Sequence, residues 1–170
     1  MRLPEAESGG SESDRTGDPP TTFQVAPVSS LWVQRLVEID STWNPHSWSQ
    51  KLFERELLNP SSRIRGVFHK ELLIGYLIAH VVIDEAHIVS FGVHPDWRRV
   101  GAGRYLLTDY LRMARLEGVK VVTLDVRVGN LAAQGLYRAQ GFQAAGLRRQ
   151  YYSDNGEDAI TMRLELYPAR

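Results

Sequence analysis

The chain has 170 residues, enough for one domain with a single sizeable core and too few for two ordinary ones. Its 20 basic and 20 acidic side chains balance, which argues against nucleic-acid binding as the main activity, since that normally shows as a basic face. Cysteine is absent, so disulfides, thiolate metal sites and a cysteine nucleophile are excluded, while 43% hydrophobic and 24% charged residues is the composition of a soluble globular protein.

Residues 1–22 are rich in Glu, Ser, Gly, Asp and Pro, with almost nothing apolar to bury, and read as a disordered tail. A single folded domain is expected over 23–170. Trp32, Leu36 and Ile39 recur at helical spacing, predicting a first helix over 29–40. Ser47 with Gln50 three residues on suggests a capping box for a second helix, with Phe53 and Leu57 inward and Asn59-Pro60 as its stop. Strand-like segments follow at 63–69, 72–83 and 86–93, and their short polar separators predict an antiparallel meander.

After His94-Pro95-Asp96, the segment Gly101-Ala102-Gly103 opens a long helix. Leu106, Leu107, Tyr110, Leu111 and Ala114 form its apolar face, and Gly118 ends it. Residues 119–128 alternate cleanly, with Val122, Leu124, Val126 and Val128 on one face and Val121, Thr123, Asp125 and Arg127 on the other. A short helix over 131–140 stops at Gly141, and two last strands, near 142–151 and 159–166, are joined through Asp154-Asn155-Gly156. The order predicts a single α/β or α+β domain.

No run of about 18 apolar residues is present to span a membrane, and no basic-then-apolar start marks a secretory signal, so a cytoplasmic enzyme is the expected setting. The histidines at 46, 69, 80, 87 and 94 show no His-Glu-x-x-His pattern, and no metal site is expected.

Residues 88–104 combine a strand end at Val93, an arginine-rich turn, and two glycines at a helix start. A helix N-terminus presents unpaired N–H groups and partial positive charge, which suits a phosphate or pyrophosphate. Glycines let the ligand approach the backbone, and Arg98, Arg99 and Arg104 add charge. A Walker loop is absent, and Leu106 stands where a dinucleotide fingerprint needs a small residue. Gly-x-Gly alone also fits a plain flexible helix entry.

Arg98-Arg99-Val100-Gly101-Ala102-Gly103 matches the Arg/Gln-x-x-Gly-x-Gly/Ala motif of the GNAT acetyltransferases, and the order of elements over 23–166 is similar to theirs. Within that family the second half resembles the bacterial ribosomal-protein-alanine N-acetyltransferases. The segments that carry this are Asp84-Glu85-Ala86, Val93-His94-Pro95-Asp96, Leu124-Asp125-Val126-Arg127, Asn130, Leu136-Tyr137, Gly141-Phe142, Arg148-Arg149-Gln150-Tyr151-Tyr152 and Glu157-Asp158-Ala159-Ile160. The resemblance implies a mixed, mostly antiparallel sheet flanked by helices and split at a V-shaped cleft for acetyl-CoA. It places that cosubstrate on Phe91, Gly92 and Val93, on Arg99, Val100, Gly101, Ala102, Gly103 and Arg104, and on Asn130.

Direct attack of an amine on a thioester needs a deprotonated amine, a stabilised oxyanion and a protonated leaving thiolate. The resemblance assigns the base to Asp125 and the acid to Tyr137. Relatives normally carry Glu at the first position, and aspartate withdraws the carboxylate by about 1.5 Å, one C–C bond. That favours a water relay or a different base, for which Glu85 and His87 on the neighbouring strand are candidates. Read as structure alone, Asp125 would pair with Arg127 and Tyr137 would pack beside Leu136 and Phe142. For the acceptor, the resemblance implies a peptide held by Arg149, Tyr151 and Tyr152, with the N-terminal alanine of a small-subunit ribosomal protein as the leading substrate. Residues 43–48, with Trp43 and Trp48, are a candidate second wall. A small-molecule amine acetyltransferase and a catalytically lapsed acetyl-CoA-binding module stay open at this stage.

Overall fold

The computed structural model describes residues 22–167, so the expected N-terminal tail lies, but for Thr22, outside the described residues. The first half runs β1 (Phe23–Pro27), a 3-10 turn (Ser30–Trp32), α1 (Val33–Ser41), α2 (Gln50–Leu57), β2 (Ser62–His69), β3 (Leu72–Val82) and β4 (Glu85–Val93). The second half continues with α3 (Ala102–Leu116), β5 (Val121–Arg127), α4 (Leu131–Ala139), β6 (Gln143–Arg148) and β7 (Ala159–Glu165). The strands form one seven-stranded sheet in the order β1-β2-β3-β4-β5-β7-β6. All neighbours are antiparallel except β4 and β5, so the sheet is mixed and mostly antiparallel, as the resemblance implies.

The sheet divides the core into two layers. On one face α3 packs Leu106, Leu107, Tyr110 and Leu111 against Val67, Leu77, Ile88, Val122 and Leu124, and Tyr137 of α4 joins them. On the other face Leu36 and Ile39 of α1 and Phe53 of α2 cover Ile64, Leu73, Tyr76 and Ile78. Each such aliphatic side chain contributes roughly 1.5–3 kcal/mol when fully buried. The helical and strand periodicities therefore placed the right residues inward at α3 and β5. Val128 is the exception at 36% exposed, because β5 has already ended at Arg127.

Three expectations need correction. β1 was not foreseen: it is five residues long and contains Pro27, which an edge strand tolerates, and it pairs only with β2. The cap of α2 is Ser49, not Ser47: Ser49 Oγ accepts from the Leu52 N–H at 3.2 Å. The backbone N–H of Trp48 is meanwhile held by the buried Asp40 carboxylate at 2.6 Å, which keeps residues 47–48 in the loop. Finally, β6 stops at Arg148: Gln150 is left-handed (φ 50) and donates its N–H to Asp158 Oδ1 at 2.7 Å, so residues 149–158 form a structured connection instead of a tight hairpin.

The feature that shapes the site lies in β4. Ile78 pairs with Ser90 but Ala79 pairs with Ile88, so Val89 is an extra residue, a β-bulge. Parallel pairing between β4 and β5 runs only from Glu85–Val121 to Ile88–Leu124 and ends at that bulge. Beyond it β5 stays paired with β7 as far as Arg127, while β4 stays with β3, so the two central strands part. The V-shaped cleft is this parting.

Candidate active site

The C-terminal end of β4 leads directly into the phosphate-type turn. Arg99 and Gly101 are left-handed (φ 61 and φ 91), and Gly101 is the N-cap of α3. An ideal Cβ on Gly101 would meet nothing within 4 Å, so glycine is required there by backbone conformation and not by packing. A Cβ on Gly103 would lie 3.6 Å from Phe91 and Val93 and 3.8 Å from Leu136, which seats the start of α3 on the end of β4 and beside α4. The N–H groups of Ala102, Gly103 and Arg104 open the helix without carbonyl partners of their own. Arg98 also braces the turn: its Nε donates to the Val93 carbonyl at 3.0 Å and straps the turn to the strand. Arg99 and Arg104 are exposed and remain available to an anion; Arg104 lines a surface depression with Tyr105, Thr108, Asp109 and Arg112.

Phe91 and Val93 face the α3–α4 layer, and Gly92 faces the other side, where a Cβ would strike the Trp43 indole. Because β4 has left β5 at the bulge, the backbone of residues 89–93 has no strand partner on its cleft edge. Asn130 is the N-cap of α4, its Oδ1 accepting from the Ala133 N–H at 3.1 Å.

Asp125 is buried on the face of β5 opposite Leu124 and Val126. Its Oδ1 accepts from Thr161 Oγ1 at 2.6 Å and lies 3.4 Å from Arg148 Nε, while Oδ2 lies 3.8 Å from His87 Nε2. The pairing with Arg127 does not form. Arg127 instead clips the 149–158 connection, donating to both oxygens of Asp154 at 3.0 Å and to Glu157 at 3.3 Å, with its guanidinium 3.8 Å above the Tyr152 ring. Glu157 also accepts the Gly129 N–H at 2.8 Å, tying that connection to the start of α4.

Tyr137, near the end of α4, is buried between Phe91 (6.3 Å between ring centroids) and Phe142 (5.8 Å). Burial raises its phenol well above the ordinary tyrosine range, with a lesser contribution from Tyr152, so it is a protonated hydroxyl at neutral pH. Tyr152 is raised by burial first; Arg127 opposes that, and Asp125 adds to it. Tyr152 thus feels both Asp125 and Tyr137, which flank the cleft from opposite faces of the sheet. Tyr151 stacks edge-on against Tyr152 at 5.2 Å, and Arg149 is exposed beside them.

Comparison with known proteins decides the family. Residues 33–142 match the Acetyltransferase (GNAT) family. The chain belongs to that family. It is an acetyltransferase, with acetyl-CoA as its cosubstrate. It is 41% identical over 123 residues to the [ribosomal protein bS18]-alanine N-acetyltransferase of Escherichia coli strain K12, covering 70% of this chain and 81% of the relative. It is 40% identical over 120 residues to the N-alpha-acetyltransferase RimI of Mycobacterium tuberculosis, covering 68% of this chain and 74% of the relative. The crystal structure of the ribosomal-protein-S18-alanine N-acetyltransferase from Escherichia coli superposes with a TM-score of 0.81 at 30% identity, covering 88% of this chain and 97% of that one.

Several residues of this acetyltransferase shape the site in ways its sequence did not show. Arg148 and Thr161 hold Asp125, and Arg127 with Glu157 fixes the Tyr152 segment. Gln134, buried, donates to the Arg127 and Val128 carbonyls at 3.0 and 2.8 Å and locks the β5–α4 junction. Asp40, fully buried, accepts from the Tyr76 hydroxyl at 2.6 Å as well as from Trp48, and Tyr76 meets Ser90 just beyond the bulge at 2.8 Å. A charged residue amid the apolar face of α1 was the available signal for Asp40. Among the described residues no group of His, Asp or Glu could hold a metal ion, and no helix is long and apolar enough to cross a membrane.

Proposed function

We propose that the chain transfers the acetyl group of acetyl-CoA to the α-amine of a protein N-terminus, and that the acceptor is the N-terminal alanine of ribosomal protein bS18. The observation that carries this reading is the parted β4–β5 cleft, flanked by Tyr137 on one face and Asp125 with Tyr152 on the other. Such a cleft lets donor and acceptor enter from opposite sides of the sheet and meet between the strands. The relatives named for bS18-alanine acetylation supply the acceptor. A ribosomal acceptor carries a cytoplasmic location with it.

In this reading the N–H groups and side chains of Arg99, Val100, Gly101, Ala102, Gly103 and Arg104 hold the pyrophosphate at the start of α3. The free edge of Phe91, Gly92 and Val93 pairs with the amides of the pantetheine chain, as an added strand would. Asn130 borders the same opening and donates through its free amide NH₂. Arg149, Tyr151 and Tyr152 line the acceptor side, with Tyr152 fixed by the Arg127 clip.

The chemistry follows from those positions. The acceptor enters as an ammonium and loses one proton on the Asp125 side, directly or through water. Its nitrogen attacks the thioester carbonyl carbon, the C–S bond breaks, and Tyr137 gives its proton to the departing thiolate. The second proton of the attacking nitrogen returns to the tyrosinate, leaving an amide, free CoA thiol and one released proton.

The test compares a synthetic peptide carrying the bS18 N-terminus with the same peptide blocked at its α-amine, both with an internal lysine. CoA release from the free peptide alone is expected. Equal release from the blocked form would make lysine the acceptor, and tight acetyl-CoA binding without release from either would mark a binding module instead.

A further inference from the structure

We propose that His87 Nε2 is the atom that takes the first proton from the acceptor amine, with Asp125 holding the resulting imidazolium instead of serving as the base itself. This rests on the N-terminal acetyltransferase reading above.

Asp125 is already engaged through one of its oxygens. Its Oδ1 is committed to the Thr161 hydroxyl at 2.6 Å and faces Arg148 Nε at 3.4 Å. That oxygen already faces two donors and has little room for an acceptor amine. The other oxygen, Oδ2, lies 3.8 Å from His87 Nε2.

On its other side His87 is held through Nδ1, 2.8 Å from Thr123 Oγ1. In the proposed resting state Nδ1 donates to that hydroxyl oxygen, which leaves the lone pair on Nε2. Nε2 and Oδ2 then face each other with no proton between them, at a spacing too long for a hydrogen bond. A nitrogen placed to one side, at hydrogen-bond distance from both, would bridge them, and an α-ammonium supplies the donors: one for the carboxylate and one for the imidazole.

The other charged groups around His87 fit this assignment. His80, paired with it across β3–β4, is engaged by Glu56 of α2. Arg148 of β6 and His80 both disfavour a second positive charge there, and Asp125 opposes them. Burial is the largest influence and lowers the His87 pKa below the usual histidine value, so the ring is neutral and able to accept at neutral pH. With a side chain 40% exposed, it stays reachable from solvent.

The step balances simply. One N–H bond of the ammonium breaks and its proton bonds to Nε2, and the imidazolium charge sits against the Asp125 carboxylate. After the product leaves, that proton passes to water.

The experiment is the pH profile of kcat at saturating peptide for the wild-type chain, His87→Gln and Asp125→Asn, using the bS18 N-terminal peptide and acetyl-CoA. The wild type is expected to lose kcat as pH falls through a value below about 6.5, the ordinary histidine pKa. His87→Gln is expected to lower kcat roughly 10²-fold, the low end for a positioned base, and to abolish that acid limb. Asp125→Asn removes the charge that favours the imidazolium, so the limb survives and moves to lower pH. His87→Ala should recover part of its turnover with added imidazole. Unchanged melting temperature and acetyl-CoA affinity show that each variant is folded. An active wild type with His87→Gln equally active and retaining the limb, or with Asp125→Asn alone erasing it, overturns the proposal. A wild type silent on every free N-terminus overturns the functional reading itself and this inference with it.

Discussion

Replacing Gly101 and Gly103 one at a time with alanine separates the two reasons for glycine in the turn, because the structure gives the changes opposite signs. Gly101 has φ 91, and its added Cβ meets nothing within 4 Å, so the cost is purely conformational. A non-glycine residue in left-handed backbone costs about 1–2 kcal/mol. For a chain of this size each kcal/mol moves the melting temperature by roughly 2–4 °C, so Gly101→Ala should melt about 2–8 °C lower. Gly103 is helical, and its Cβ would rest at 3.6 Å from Phe91 and Val93, an ordinary contact. There alanine gains helix propensity, at most about 1 kcal/mol, and the melting temperature should hold or rise. Isothermal titration with acetyl-CoA completes the assay. Gly101→Ala tilts the N–H groups of residues 102–104 and should weaken affinity about tenfold, the worth of one hydrogen bond to a charged group, whereas Gly103→Ala should bind within a few-fold of wild type. An unchanged Gly101→Ala, or a destabilised Gly103→Ala, would refute the assignment.

Three further outcomes are expected. Tyr137→Phe keeps the ring packing against Phe91 and Phe142 but lacks the proton, so single-turnover chemistry should slow by roughly tenfold or more with acetyl-CoA affinity intact; unchanged kinetics would remove Tyr137 from the reaction. Asp40→Ala leaves the Trp48 N–H and the Tyr76 hydroxyl without their buried acceptor and should lower unfolding stability by about 2–3 kcal/mol in urea titrations, and a loss under about 0.5 kcal/mol would contradict its role as anchor of the α1–α2 loop. Asp154 is held below the usual carboxylate range chiefly by its hydrogen bond from Arg127, and Glu157 chiefly by the Gly129 N–H. Folded pKa values below the unfolded ones mean that the clip stabilises above the unfolded carboxylate range and is lost as pH falls. Amide exchange at Gly129 should therefore quicken below about pH 4 before global unfolding, and retained protection until the whole chain unfolds would speak against the clip.

Local physics made much of the fold legible. The apolar stripe of α3 and the alternation of β5 each pointed to a buried face, and Leu106, Leu107, Val122 and Leu124 lie there. The turn at Gly101 was legible because left-handed backbone and glycine go together. What escaped was long-range. The Val89 bulge changes register without changing composition, and Pro27 masked an edge strand that only β2 completes. Arg127 sits two residues from Asp125, yet its partners Asp154 and Glu157 lie across the 149–158 connection, where spacing along one strand says nothing. Likewise Ser47 satisfied a capping pattern, but Asp40 holds Trp48 in the loop and leaves the cap to Ser49.

The central claim, that the parting of β4 and β5 at Val89 forms the acetyl-CoA slot, is tested most directly by backbone amide exchange of the full chain with and without acetyl-CoA. New protection is expected at Phe91–Val93 and at residues 101–104, with β1 and β2 unaffected. Protection confined to the outer depression lined by Tyr105, Thr108 and Arg112, with residues 91–93 unchanged, would contradict it.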